Sequence, residues 1–296
     1  ITVISPVPGS PSDIVGLMPG DKIIAINGED AYKITKTEVF EKLRGKKGTK
    51  VTVTIGRIGS SKPFDVTIIR DNIPIYSVGA ATMIDEITGY IFLRRFSATT
   101  EKEVVKAIDT LLAQGMQRLL FDLRGNSGGL LEQAAAISDQ FITTSDTLVY
   151  TKGKIKESNQ TFVGSANKGN NSFSLIVLIN RGSASASEIV SGAIQDLDRG
   201  LVIGETSFGK GLVQRQLPLN TGAAIRVTIA RYYTPSGRLI QRPYEDGSDL
   251  AYYRELYEVD RESKIDSLKE LRPKYKTRAG RTVYGGGGIT PDIYLP

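Results

Sequence analysis

The chain has 296 residues, of which 40% are apolar and 24% charged, a composition typical of a globular protein with enough material for two domains. Its net charge of +6 is spread along the sequence without a dense Lys/Arg block, which argues against nucleic acid as a partner. Histidine and cysteine are absent, which excludes a Ser-His-Asp triad, a Cys-His dyad, an HExxH zinc site and any disulfide. No stretch approaches the ~20 apolar residues of a membrane span.

Residues 1–70 predict a small β-rich domain with one clear helix. Apolar segments typical of strands, bounded by glycine and proline turn signals, lie at residues 23–26, 50–55 and 64–69. A short helical stretch is expected at residues 12–16. A longer helix is expected at residues 37–44, where Val39, Phe40 and Leu43 share one face.

The segment from Ser10 to Gly28, with Pro19-Gly20-Asp21 at its centre, resembles a PDZ domain. The resemblance implies capture of a peptide C-terminus as an added strand beside a helix, here residues 37–44. Because the sequence begins at Ile1 in a strand-like segment, the carboxylate-binding loop of such a domain is expected upstream of it. A PDZ-like spacer that binds no peptide is the alternative interpretation.

Arg44 ends the predicted helix of the PDZ-like region. One interpretation is that its long cation reports peptide occupancy to the rest of the protein. The other is that it only complements the dipole at the helix C-terminus.

Residues 71–296 alternate strand and helix patterns, which predicts an α/β domain. Strands are expected at residues 89–93, 118–123, 175–180, 201–204 and, antiparallel, 223–233. Helices are expected after the capping-box pattern Thr100…Glu103, from the glycine-rich turn to about Phe141, and at residues 185–196. The polar segment 151–171 is expected to be a mobile surface loop.

Three strand-to-helix turns carry the polar and glycine residues that chemistry requires. They span residues 122–129, 180–188 and 204–214. In open α/β sheets, sites form outside the carboxyl ends of the strands, so the three turns are expected to converge on one cleft.

The second turn places a serine at a helix N-terminus, where backbone N–H groups favour developing negative charge. Plain N-capping is the alternative, since Ser185 and Glu188 also match a capping box. In the third turn, Gly209 and Gly211 flank Lys210 and allow tight packing that would draw the lysine inward. Burial would disfavour its ammonium form and so provide a neutral amine as general base, although a surface lysine is the alternative.

Together these turns resemble the C-terminal processing peptidases, or tail-specific proteases, in which a PDZ domain precedes a crotonase/ClpP-like α/β catalytic domain. The matching segments are residues 10–28, 89–96, 122–131, 182–196, 204–214, 232–241 and 285–292. The resemblance implies a PDZ domain at residues 1–70 and a peptidase domain at residues 71–296. It further implies Ser185 as nucleophile, Lys210 as general base and Gln214 as the residue that aligns the amine. The N–H groups of Ala186 and of a glycine at or near Gly128 would form the oxyanion hole.

The resemblance also implies a protein or peptide substrate with a free C-terminus, no metal or cofactor, and a location in the cell envelope, periplasmic or exported. It leaves open a homo-oligomer, an adaptor protein and a membrane anchor upstream of Ile1. Three rival interpretations remain: a crotonase-like acyl-CoA enzyme, a PDZ adaptor with a decayed hydrolase domain, and a Ser-Lys amidase or β-lactamase. The last requires SxxK spacing, and this sequence has Glu188 where the lysine would stand.

Overall fold

The computed structural model describes residues 1–166, 172–243 and 249–296. The chain divides into two compact units, Ile1–Ile75 and Tyr76–Pro296, each with its own hydrophobic core. Within the described ranges, no helix combines the length and apolar character needed to cross a membrane.

The first unit is a four-stranded antiparallel sheet with two short helices. The helices are α1 (Pro11–Ile14) and α2 (Lys36–Leu43). The strands are β1 (Lys22–Ile26), β2 (Glu29–Asp30), β3 (Lys50–Gly56) and β4 (Phe64–Ile69), in the order β2-β1-β3-β4. In β3 the buried residues alternate, because successive side chains of a strand point to opposite faces. The strands and helices predicted here are confirmed, with shifts only at their ends.

The second unit contains the remaining helices and strands. Its helices are α3 (Thr100–Ala113), α4 (Leu131–Phe141), α5 (Ala186–Asp196), α6 (Asp249–Arg254) and α7 (Arg261–Leu268). Its first strands are β5 (Val78–Met83), β6 (Thr88–Leu93), β7 (Arg118–Asp122), β8 (Thr147–Gly153), β9 (Thr161–Val163) and β10 (Ser174–Ile179). Its later strands are β11 (Leu201–Gly204), β12 (Leu212–Pro218), β13 (Ala224–Tyr233), β14 (Lys274–Lys276), β15 (Thr282–Tyr284) and β16 (Ile293–Tyr294).

Two main sheets organise this unit. The larger has the order β16-β11-β10-β7-β6-β5 and is parallel except where β5 pairs with β6. Phe121 of β7 and Val177 of β10 are fully buried at its centre, as the continuous apolar runs predicted. The smaller sheet is antiparallel, with the order β12-β13-β8-β9. Helix α5 contacts β11 of the larger sheet and β8 of the smaller one, so it packs against both sheets.

Two local expectations are wrong. Thr100 is not the N-cap of α3 but its first residue, because its hydroxyl instead contacts Ser77 Oγ at 2.6 Å; Thr99 is the N-cap. The segment 151–171 is not simply a surface loop, since it completes β8 and forms β9. Polar side chains hold it there: the Thr151 hydroxyl donates to Ser158 O at 2.6 Å. Its last residues, 167–171, lie outside the described part of the chain.

Candidate active site

The three turns singled out in the sequence meet beyond the carboxyl ends of β7, β10 and β11. Ala184 N donates to Asn126 O at 3.0 Å, which joins the second turn to the first. Phe208 N donates to Ser183 O at 2.9 Å, which joins the third turn to the second. The expected convergence on one site is therefore present in the structure.

Three serines lie in the second turn, and only one has a hydroxyl available for chemistry. Ser183 and Ser187 are fully buried, and their hydroxyls donate to Leu123 O and Asn126 O, each at 2.8 Å. Ser185 forms the expected capping box with Glu188, but it is only half-buried, and its hydroxyl donates to no backbone carbonyl of the described residues. The sequence pattern alone could not distinguish these three hydroxyls; their surroundings do.

Ser185 has a strained backbone at the start of α5. Its φ of 56° and ψ of −112° lie in a region that residues other than glycine rarely occupy. Such conformations cost of the order of 1–3 kcal/mol and cluster at functional sites. The next residue, Ala186, is the first of α5, so its N–H has no intrahelical acceptor.

The backbone of Gly128 packs tightly against the turn that contains Ser185. A Cβ atom at this position would lie 2.6 Å from Ala184 O and 2.8 Å from both Ala186 N and Ser185 Cβ, and its φ is +95°. Only glycine fits, so the two predicted oxyanion-hole residues do meet at Ser185. The Gly128 N–H, however, donates to Asn126 Oδ1 at 2.9 Å, so it is already occupied in this structure.

Glu188 links the backbones of the predicted nucleophile and base. Its Oε2 accepts the N–H groups of Ser185 at 2.8 Å and of Lys210 at 2.9 Å. Its Oε1 accepts Ser207 Oγ at 2.5 Å and Gly209 N at 2.7 Å. Burial raises the pKa of Glu188, while these four donors oppose the shift. The sequence identified Glu188 only as a possible capping partner, whereas it fixes two turns at once.

Tyr232 provides a second link between the same two turns. It lies in β13, is 1% exposed, and its hydroxyl donates to the carbonyl oxygens of Ser185 (3.1 Å) and Lys210. Burial is the main reason why its pKa lies well above the usual value, so the hydroxyl stays a donor. In the sequence, Tyr232 stood out only as the first residue of segment 232–241, which resembles the C-terminal processing peptidases.

Lys210 lies between two glycines that pack as predicted. A Cβ atom on Gly209 would lie 2.9 Å from Arg242 Cβ, and one on Gly211 would lie 2.9 Å from Gln241 N. Lys210 itself is half-buried rather than enclosed, and its amine has no hydrogen-bond or ion-pair partner among the described residues.

A cleft of about 1070 Å³ contains the predicted base. Ala184, Lys210 and Gln214 line it together with side chains of β13 and α6. Gln214 is exposed in β12, and no hydrogen bond joins it to the Lys210 amine in the described structure. Within the described ranges, no group of three or more acidic side chains is arranged to hold a metal ion.

Arg44 belongs to the first unit and follows α2 as its C-cap residue. Its guanidinium lies 4.4 Å from the centre of the Phe40 ring. Both side chains are exposed, so this cation–π contact leaves the guanidinium accessible.

Comparison with known proteins concerns the family and the fold of the chain. The sequence model of "Peptidase family S41" matches residues 87–246, and that of "PDZ domain" matches residues 1–56. A carboxy-terminal-processing protease of Bartonella bacilliformis is 39% identical over 81% of this chain and 56% of its own length. The carboxy-terminal processing protease CtpA of Bacillus subtilis is 36% identical over 82% of this chain and 51% of its own length.

A solved structure of a photosystem II D1 C-terminal processing protease is similar with a TM-score of 0.54 and 26% identity. The match covers 99% of this chain and 68% of that one. The fold is thus mixed α/β, with a PDZ-like unit followed by a peptidase-like unit, as the sequence predicted.

This chain belongs to peptidase family S41, since the family model matches more than half of it. It spans about half the length of the carboxy-terminal processing proteases it matches.

Proposed function

We propose that this chain is a serine endopeptidase of the C-terminal processing type, with Ser185 as nucleophile and Lys210 as general base. The observation that carries the proposal is the contrast among the three serines of one turn. The hydroxyls of Ser183 and Ser187 donate to backbone carbonyls, whereas Ser185 is half-exposed and has a strained backbone. Membership in peptidase family S41 favours this reaction over the crotonase-like and amidase alternatives.

The chemistry follows from the groups at the site. The Lys210 amine would accept the Ser185 hydroxyl proton as Oγ attacks the scissile carbonyl carbon. The N–H of Ala186 and one at or near Gly128 would stabilise the resulting oxyanion, the second after release from Asn126 Oδ1. The C–N bond then breaks, protonated Lys210 gives its proton to the leaving amine, and water hydrolyses the acyl-enzyme. Gln214 would align the lysine amine from the neighbouring strand.

The test is cleavage of an unfolded protein with an apolar C-terminal tail. We expect Ser185→Ala and Lys210→Ala to abolish cleavage and Ser187→Ala to retain it, because the Ser187 hydroxyl is buried against Asn126 O. Equal rates in wild type and Ser185→Ala would refute the assignment of the nucleophile. Loss of activity in Ser187→Ala with a normal unfolding temperature would refute the distinction between the serines.

The PDZ-like unit would capture the substrate C-terminus by strand addition, and Arg44 would report that occupancy. Its exposed guanidinium, held over the Phe40 ring, is available to a carboxylate or carbonyl. Arg44→Ala should then leave basal cleavage unchanged and reduce the stimulation that a C-terminal peptide produces. If neither rate changes, Arg44 only completes the end of α2.

Export to the cell envelope, an oligomer and an adaptor protein stay predictions from the family resemblance.

A further inference from the structure

The cleft that contains Lys210 is strongly basic. Five cations line it, and no acidic side chain of the described residues does so. The cations are Arg181, Lys210, Arg226, Arg231 and Arg242.

Two of these arginines are neutralised by the protein itself. Arg181 forms an ion pair with Glu205 at 2.5 Å, and Arg242 forms one with Glu255 at 3.2 Å. Arg226 and Arg231 differ from them, because both are exposed and neither guanidinium has an ion pair or a hydrogen bond with the described residues. Their charges therefore remain available in the cleft.

A β-bulge brings these two arginines to the same face of the smaller sheet. Residues five apart in a regular strand point to opposite faces. In β13, however, Arg231 pairs with Leu212 while Thr228 pairs with Gln214, so the register shifts between them. Since Leu212 and Gln214 share one face of β12, the shift places Arg231 on the same face as Arg226.

We infer that the cleft selects peptides that carry a carboxylate close to the scissile bond, and that Arg226 and Arg231 bind it. This inference rests on the proposed function of Ser185. The carboxylate is either an Asp or Glu side chain or the free C-terminus of the peptide. A guanidinium presents paired donors that match a carboxylate. For an exposed site, two such contacts predict about a fivefold to tenfold preference in kcat/KM.

The first experiment uses internal peptides with amidated C-termini, so that capture of a C-terminus does not contribute. Pairs of peptides that are identical except for Glu or Gln at one position are compared in kcat/KM, for each position around the cleavage site. We expect the Glu peptide to be preferred about fivefold to tenfold at one position or two adjacent ones, and the preference to fade at about 0.5 M salt. Equal kcat/KM for every Glu/Gln pair, together with equal kcat/KM for a peptide with a free C-terminal acid and its C-terminal amide, would overturn the inference.

Charge-reversal variants test which residues are responsible. The double variant Arg226→Glu/Arg231→Glu should reverse the preference in favour of the Gln peptide. The matched control is Arg215→Glu, which changes the charge on the same hairpin but at the residue after Gln214, on the opposite face. The control should keep the wild-type preference; if it loses the preference as fully as the double variant, the assignment to Arg226 and Arg231 is wrong.

Binding separates this inference from the proposed reaction. Fluorescence anisotropy of the same labelled peptides with full-length Ser185→Ala protein does not depend on turnover. Tighter binding of Glu peptides without cleavage by wild type would support the basic cleft and refute the peptidase. Cleavage without a preference for either a Glu side chain or a free C-terminus would do the reverse. A further pair of peptides differs only in having a free C-terminal acid or a C-terminal amide. If the free acid binds more tightly and this difference in affinity disappears in Arg226→Glu/Arg231→Glu, the C-terminal carboxylate is the ligand.

Discussion

Glu188→Gln should damage both stability and catalysis, because the Glu188 carboxylate accepts four hydrogen bonds in a fully buried position. The glutamine keeps the shape but replaces one acceptor oxygen with an NH₂ group, which then faces two donors. Hydrogen bonds to a charged group contribute about 1.5–3 kcal/mol each, so losing two costs about 3–6 kcal/mol. Relief of the buried charge offsets part of this loss, so we take about 3 kcal/mol as the expected value.

Thermal unfolding measures the first effect. In a domain of roughly 150–250 residues, 1 kcal/mol shifts the midpoint by about 2–4 °C, so a decrease of at least about 6 °C is expected. Cleavage at a temperature where the variant is folded measures the second, and kcat should fall because the turns of Ser185 and Lys210 are no longer fixed to one oxygen. Glu132→Gln, an exposed glutamate in the first turn of α4, is the control. A Glu188→Gln protein with an unchanged midpoint and unchanged kcat would refute the reasoning.

Three further predictions concern other contacts. Tyr232→Phe removes the hydroxyl that links two turns and should lower kcat about tenfold without changing KM; an unchanged kcat in steady-state assays would contradict this. Gly128→Ala should reduce kcat/KM at least about tenfold more than Gly125→Ala. Both positions have positive φ, but an added Cβ atom would meet neighbouring atoms within 4 Å only at Gly128. Equal losses would show that this close approach does not matter. The Arg57 hydrogen bonds lower the pKa of Asp21, so its stabilisation is present above the unfolded pKa and is lost as pH falls through the folded one. Asp21→Asn should therefore unfold the first unit at lower temperature at pH 7, with a difference from wild type that shrinks towards low pH; a pH-independent difference in calorimetry would contradict the assignment.

Much of the fold could be predicted because its central strands are apolar without interruption. β7, β10 and β11 are bounded by glycine or polar residues, and β10 pairs in parallel with both β7 and β11 in the larger sheet. The missed strands lack that signal. β5 is built largely of Gly and Ala, and β12 is exposed along most of its length, so neither has a buried face that produces alternation.

Some features of the candidate site could likewise be predicted from the sequence, and others could not. Ser185 and Lys210 stand in local patterns of small residues, which the sequence displays directly. The links between them could not be predicted, because Glu188 and Tyr232 act through backbone atoms that are distant in the chain. The charge of the cleft was equally hidden, since it depends on a bulge that changes which residues of β13 share a face.

The most direct test of the account is to identify the residue that becomes acylated during turnover. A short peptide nitrophenyl ester makes deacylation the slow step, so the acyl-enzyme accumulates and can be quenched with acid and mapped by mass spectrometry. The account predicts a burst of nitrophenol and one acyl group on Ser185, absent in Ser185→Ala and formed much more slowly in Lys210→Ala. An acyl group on any other residue, or an unchanged burst in Ser185→Ala, would contradict it.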